Sequence, residues 1–194
     1  MPTRLTLRTE LLAMREEDLT VRERLLQAGQ LEGGYHPEME AVHIRNAARM
    51  REILSQHGWP TRTLVGVDGE EAAWLVVMHA IGDPNLQRKS LALLENAAWA
   101  GEAPTWQFAC LADRIAFFDG RPQRYGTQVD WDDEGYLSVY RLEDPARVNE
   151  LRATVGLGPL ERTGRDRQTP IDPESLRRHR EKGEAWARKV GWRK

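Results

Sequence analysis

The most apolar stretch of this chain, Ala72-Ala73-Trp74-Leu75-Val76-Val77-Met78-His79-Ala80-Ile81, contains one ionisable side chain. A run of that composition belongs inside a core, and a titratable group set among such neighbours must be hydrogen-bonded, shifted in pKa, or both. His79 is therefore the first residue to follow. The same pattern, a polar residue on an otherwise apolar helical face, recurs at Glu40 and His43, at Gln87 and at Asp113, and predicts a pocket to which several helices contribute.

Glycine and proline divide the chain into short periodic segments. A first helix is expected over 6–30, broken by Gly33-Gly34. A second runs from Pro37 to His57, stopped by Gly58 and Pro60. Val67-Asp68-Gly69-Glu70 reads as a turn ahead of a third helix, 71–81, which Gly82-Asp83-Pro84 ends while capping a fourth over 84–100. Thr105 to Phe118 is a fifth. Gln123 to Asp130 and Gly135 to Leu142 alternate as two strands around the acidic turn 131–134, giving a hairpin at about 123–142. A short helix follows Asp144-Pro145 to about Val155, and a basic helix spans Pro173 to Val190. The fold class is mainly α (α+β): about five core helices, a small β-hairpin and a C-terminal basic helix. The expected organisation is a domain over 1–161 followed by a basic segment, 162–194, packed on it.

The charge balance supports that division. The chain of 194 residues carries a formal charge of −2, yet 162–194 holds eleven Lys and Arg against five Asp and Glu, so the remainder is acidic. Trp186, Val190 and Trp192 favour docking of this segment over an extended nucleic-acid-binding tail, although a polyanion partner stays as an alternative. The single Cys110 excludes an internal disulfide framework and a polythiolate zinc site, and suits a reducing compartment, so a cytoplasmic location is expected. No run of about 18 apolar residues occurs, and no membrane role is expected.

At about 100° per residue, Glu40, His43, Ala47, Met50 and Leu54 share one face of the second helix, with His36 entering just before it. Glu-x-x-His is a spacing by which one helix offers a carboxylate and an imidazole to a metal ion, so Glu40, His43 and His36 are the candidate ligands of a divalent metal. A surface pair at helical spacing explains the same residues. No cofactor is required by the sequence. On the fifth helix Asp113 shares a face with Trp106, Cys110 and Phe117, and a carboxylate buried there needs a cation or several donors, which Arg114, Arg124 or His79 would supply. An Asp113–His79 pair would fix the imidazole tautomer and raise its basicity. Both residues equally suit the part of internally satisfied polar groups in a helical core. Cys110 reads as packing. With no Gly-x-Ser-x-Gly elbow and no Walker or Gly-x-Gly-x-x-Gly loop, water is the expected nucleophile.

Taken in order, His57-Gly58-Trp59-Pro60, Val65-Gly66, Ala73-Trp74 with His79-Ala80, Gln87, Asp113-Arg114, Gly120 with Gln123, Tyr125-Gly126-Thr127-Gln128, Asp144-Pro145 and Arg152 with Val155-Gly156-Leu157 resemble an uncharacterised bacterial family, domain of unknown function 6624. The resemblance spans about 5–160 and departs at Met78, where the family pattern often has glutamine. It implies that His79, Gln87, Asp113, Arg114 and 125–128 belong to a shared motif, and it implies no reaction.

These observations lead to one preferred expectation and two alternatives. The preferred one is hydrolysis or group transfer on a small polar or anionic molecule. In it His79, Asp113 and Arg114 are catalytic, and Gln87, Tyr125, Gln128 and His57 bind substrate. The first alternative is a non-catalytic binding, immunity or regulatory protein whose buried polar residues are structural. The second is a metal-dependent enzyme using Glu40 and His43.

Overall fold

A computed structural model describes residues 4–31, 35–161 and 168–194. Its elements are α1 (Arg4–Gln27), α2 (Pro37–His57), α3 (Arg62–His79), α4 (Pro84–Trp99), α5 (Thr105–Phe118), β1 (Val129–Trp131), β2 (Leu137–Val139), α6 (Val148–Thr154) and α7 (Pro173–Val190). The protein is mainly α with a small antiparallel hairpin, as the periodicity predicts. The expected break at Gly33-Gly34 lies outside the described residues. No described helix is long and apolar enough to cross a membrane.

The chain forms two compact units, 1–104 and 105–194, so the boundary falls inside the stretch that the sequence reads as one helical domain. In the first unit α1 buries Leu7, Leu11, Met14 and Leu25, a stripe at helical spacing. Each fully buried leucine contributes roughly 2 kcal/mol of transfer free energy. The cross-links between α1 and α2 descend in α2 as they ascend in α1: Glu10 to Arg49, Met14 to Asn46, Glu17 to Arg45 and Arg24 to Glu38. The two helices are therefore antiparallel. Against α3 the order is the reverse, with Arg8 on Asp68 and Asp18 on His79, so α1 and α3 run parallel.

The third helix starts at Arg62 and not at Glu71, which corrects the expected turn over 67–70. Thr61 caps it, its Oγ1 accepting the Leu64 N–H at 3.3 Å, and Gly66 then takes φ 78° and ψ 171°. That left-handed φ is open to glycine at little steric cost, so one kink joins two helical segments where Asp-Gly chemistry alone reads as a break. The helix closes two residues earlier than expected because Ala80 leaves the helical region. Asp83 caps α4, accepting the Leu86 N–H at 3.1 Å, with Pro84 in the first turn.

In the second unit the strands are three residues each, shorter than expected. Val129 pairs with Val139, Asp130 with Ser138 and Trp131 with Leu137. The turn is organised by Asp132, whose Oδ1 accepts the N–H groups of Glu134 and Tyr136 at 3.0 Å. Below the ladder a side chain adds to the backbone pairing, which continues with the Tyr140 N–H on the Gln128 carbonyl at 3.0 Å and the Gln123 N–H on the Arg141 carbonyl at 2.9 Å. Fully buried Gln123 donates Nε2 to the carbonyls of Gln128 and Tyr140 at 2.8 Å and accepts the Gln128 N–H at 2.8 Å. The short helix is α6, beginning at Val148 and not at Pro145. Helix α7, capped by Asp172 on the Ser175 N–H, leads to Trp192, which stacks on Phe118 at 5.2 Å. Arg193 follows, donating to the carbonyls of Phe117 and Phe118 and so closing the C-terminus of α5. Much of the basic character of α7 is spent on ion pairs, with Arg177 on Glu181, Arg178 on Glu174 and Arg180 on Asp133.

Candidate functional site

His79 is the last residue of α3, at the carbonyl end of a helix whose dipole favours positive charge. Its Nδ1 lies 2.9 Å from Oδ1 and 3.0 Å from Oδ2 of Asp18, a side chain with no exposed surface. His43 of α2 meets the same carboxylate, with Nε2 3.1 Å from Oδ2. The three side chains differ in access: Asp18 is 0 % exposed, His43 10 % and His79 26 %. The histidine rings lie 5.2 Å apart between centroids. Behind them Tyr35 places its hydroxyl 2.7 Å from Nδ1 of His43 and stacks on that ring.

The electrostatics follow from this arrangement. Burial acts to raise the Asp18 pKa, but the adjacent imidazoles of His43 and His79 outweigh it and hold the carboxyl down at about 2. Asp18 is thus an anion at neutral pH in a place where an unpaired anion would be costly. Burial pushes the Tyr35 hydroxyl well above its usual range, and the nearby charges of Glu40 and Asp18 add to the effect, so Tyr35 stays protonated beside His43.

The cluster is built by backbone geometry. Asp18 continues the buried stripe of α1, four residues beyond Met14, and so points with the core residues at α2 and α3. Asn46, 4 % exposed, donates to the Met14 carbonyl at 3.3 Å and ties α2 to α1 one turn away. Gln87 of α4 has no exposed surface and donates Nε2 to the carbonyls of Val77 and Met78 at 2.9 and 3.2 Å. It thereby fixes the last turn of α3, from which His79 projects.

Of the metal candidates, His43 is in the cluster. His36 instead caps α2, its Nδ1 accepting the Glu38 N–H at 3.2 Å, and Glu40 acts on the cluster through its charge on Tyr35. His57 closes α2, partly exposed.

Asp113 has a different environment. It is 1 % exposed and accepts four donors within its own unit. These are the N–H groups of Arg124 at 2.8 Å, Tyr125 at 3.0 Å and Thr127 at 3.0 Å, and the Thr127 hydroxyl at 3.0 Å. The carboxylate expected beside His79 is thus supplied by Asp18, while Asp113 organises 124–127. Tyr125 packs with Ala109 and Val155, and Gln128 is engaged through Gln123 and Thr127. Burial lowers the Arg114 pKa, with the Cys110 thiol opposing it.

Asp18 and Tyr35 are the residues that sequence reasoning missed. Asp18 had a signal. It falls on the stripe of Leu7, Leu11, Met14 and Leu25, the same pattern of one polar residue on an apolar face that singles out Gln87 and Asp113. Tyr35 lies between helices and offers no periodicity.

Residues 5–168 match the model of a family described as a family of unknown function (DUF6624). No curated protein and no solved structure matches the chain.

Proposed function

The chain belongs to this family of unknown function, and from its cluster we propose that it is an enzyme performing hydrolysis or group transfer on a small polar substrate, with His79 as the proton carrier and Asp18 as its charged partner. One observation carries the reading: a fully buried, ionised aspartate holds Nδ1 of the more exposed of the two cluster histidines. An N–H on Nδ1 directed at Asp18 leaves Nε2 with its lone pair, the tautomer a general base needs. The anion then stabilises the imidazolium formed when Nε2 accepts a proton from water or a substrate hydroxyl. His43 shares the carboxylate and limits its rotation. Gln87 is a positioning residue that acts through the last turn of α3. In this reading Asp113 is the organiser of 124–127 and not the partner of His79.

The test is a screen of the purified protein against chromogenic esters, amides, phosphate monoesters and phosphodiesters. Turnover of at least one substrate class is expected, falling by about 100-fold or more in His79→Gln while the variant stays folded by circular dichroism at the assay temperature. Activity that survives this substitution would overturn the proposal. So would inertness across all four classes, which leaves the cluster as structure in a binding protein.

A further inference from the structure

We infer that Asp18, His43 and His79 form a binding site for one divalent first-row transition-metal ion of the zinc class. The inference extends the reading of this cluster as the chemical centre and changes which groups would handle the proton. A carboxylate oxygen of Asp18, Nε2 of His43 and Nδ1 of His79 all lie within 4.8 Å of one another. They come from α1, α2 and α3, so the set is assembled by the tertiary fold.

A second observation concerns His43. Its Nε2 is buried and stands 3.1 Å from Oδ2 of Asp18, yet it lacks the alignment of an N–H···O bond and makes no other hydrogen bond. A ring nitrogen nine-tenths enclosed, aimed into the cluster and unsatisfied there, is what a metal ligand looks like when described through hydrogen bonds alone. The opposite nitrogen, Nδ1, has the Tyr35 oxygen at 2.7 Å. With an ion on Nε2, Nδ1 would carry the proton and donate it to Tyr35, the outer hydrogen bond that sets the tautomer and orientation of a metal-bound imidazole.

The donor set selects the ion. Two imidazoles and one ionised carboxylate suit zinc and its neighbours, whereas calcium and magnesium need more oxygen ligands than one aspartate offers. Two ligand atoms on a tetrahedral zinc stand about 3.4 Å apart, so the two imidazole–carboxylate separations of 2.9 and 3.1 Å would open by only a few tenths of an ångström, with the two ring nitrogens already within 4.8 Å of each other. Three protein ligands leave a coordination position open, and His79, at 26 % exposure, marks the side from which water or substrate would enter. In the loaded protein Nδ1 of His79 is a ligand and its proton resides on Nε2, so His79 no longer acts as the base.

The test is a calorimetric titration of chelator-treated protein with zinc chloride, without any substrate, beside a magnesium chloride titration. One zinc per chain is expected, and no heat from magnesium. His43→Gln and His79→Gln should each weaken zinc binding by about 100-fold or more, while His179→Gln on the surface leaves it unchanged. Should either variant fail to fold, the imidazole nitrogen resonances of the unmodified protein replace it, with zinc moving those of His43 and His79 and leaving those of His57 and His179. Absence of a stoichiometric zinc site, or binding that persists in both variants or shifts other histidines, overturns the inference. Because binding is read without turnover, failure to bind zinc leaves the acid–base proposal standing, and failure of the substrate screen leaves a measured zinc site standing.

Discussion

Asp18 and His79 lie 61 residues apart in sequence and meet because α1 and α3 run parallel, so that the buried edge of one helix reaches the last residue of the other. Replacing the pair removes one tertiary contact as well as a charge. Asp18→Asn keeps the shape but weakens two imidazole contacts at a side chain with no exposed surface, and should cost about 3 kcal/mol in urea unfolding. In a double-mutant cycle with His79→Gln the two losses should fall short of additivity by about 1 kcal/mol or more. Strict additivity would mean that the 2.9 Å contact contributes nothing.

The depressed pKa of Asp18 gives the metal-free protein an acid-sensitive component of stability. The carboxyl titrates at about 2 in the folded chain against an ordinary 3.8. A group lowered on folding stabilises above its unfolded pKa, and that contribution drains away as pH falls from near 4 to near 2. The difference corresponds to about 2 kcal/mol. Thermal unfolding followed between pH 5 and pH 2 should show this loss in the unmodified protein and its absence in Asp18→Asn.

Asp113 gives a contrasting expectation. Asp113→Ala strands three backbone N–H groups and a hydroxyl, and should destabilise by about 3 to 5 kcal/mol, with faster amide exchange at Arg124, Tyr125 and Thr127. Asp113→Asn keeps one carbonyl acceptor and should lose less. Reduced turnover in Asp113→Asn with exchange rates unchanged would instead give this carboxylate a chemical role.

Cys110 should be a slow nucleophile. Burial, with the Asp113 charge adding to it, pushes its thiol up to about 11. At pH 8 the thiolate fraction is then roughly 100-fold below that of a free cysteine, so Ellman's reagent should react slowly with the native protein and rapidly in urea. Equal rates in both conditions would contradict the burial of this side chain.

Much of the fold is legible where punctuation and periodicity agree. Pro37 and Gly58 bound α2, Asp83-Pro84 starts α4, and the acidic turn places the hairpin. A lone ionisable group in an apolar run requires a partner, and His79 has one at 2.9 Å. The identity of that partner is not legible in the same way. Helix periodicity assigns each residue a face but says nothing of which faces meet, so Asp113 and Asp18 are equal candidates until the parallel packing of α1 and α3 is known. The start of α3 is hidden for a local reason. Asp68-Gly69 has turn chemistry, and only the left-handed φ of Gly66 shows that the helix bends there and continues.

That bend also divides α3 mechanically. The segment beyond Gly66 carries His79 and is anchored near its start by Arg8 on Asp68 and by Gly69, where an added Cβ would stand 2.9 Å from the Cβ of Val65. A residue inserted between Gly69 and His79 would rotate the imidazole by about 100° around the helix axis and carry it away from Asp18. An insertion between Arg62 and Val65 falls on the far side of the bend and leaves the angular setting of His79 to the anchored segment. Tolerance of length changes should therefore switch at Gly66, although both sides belong to one helix.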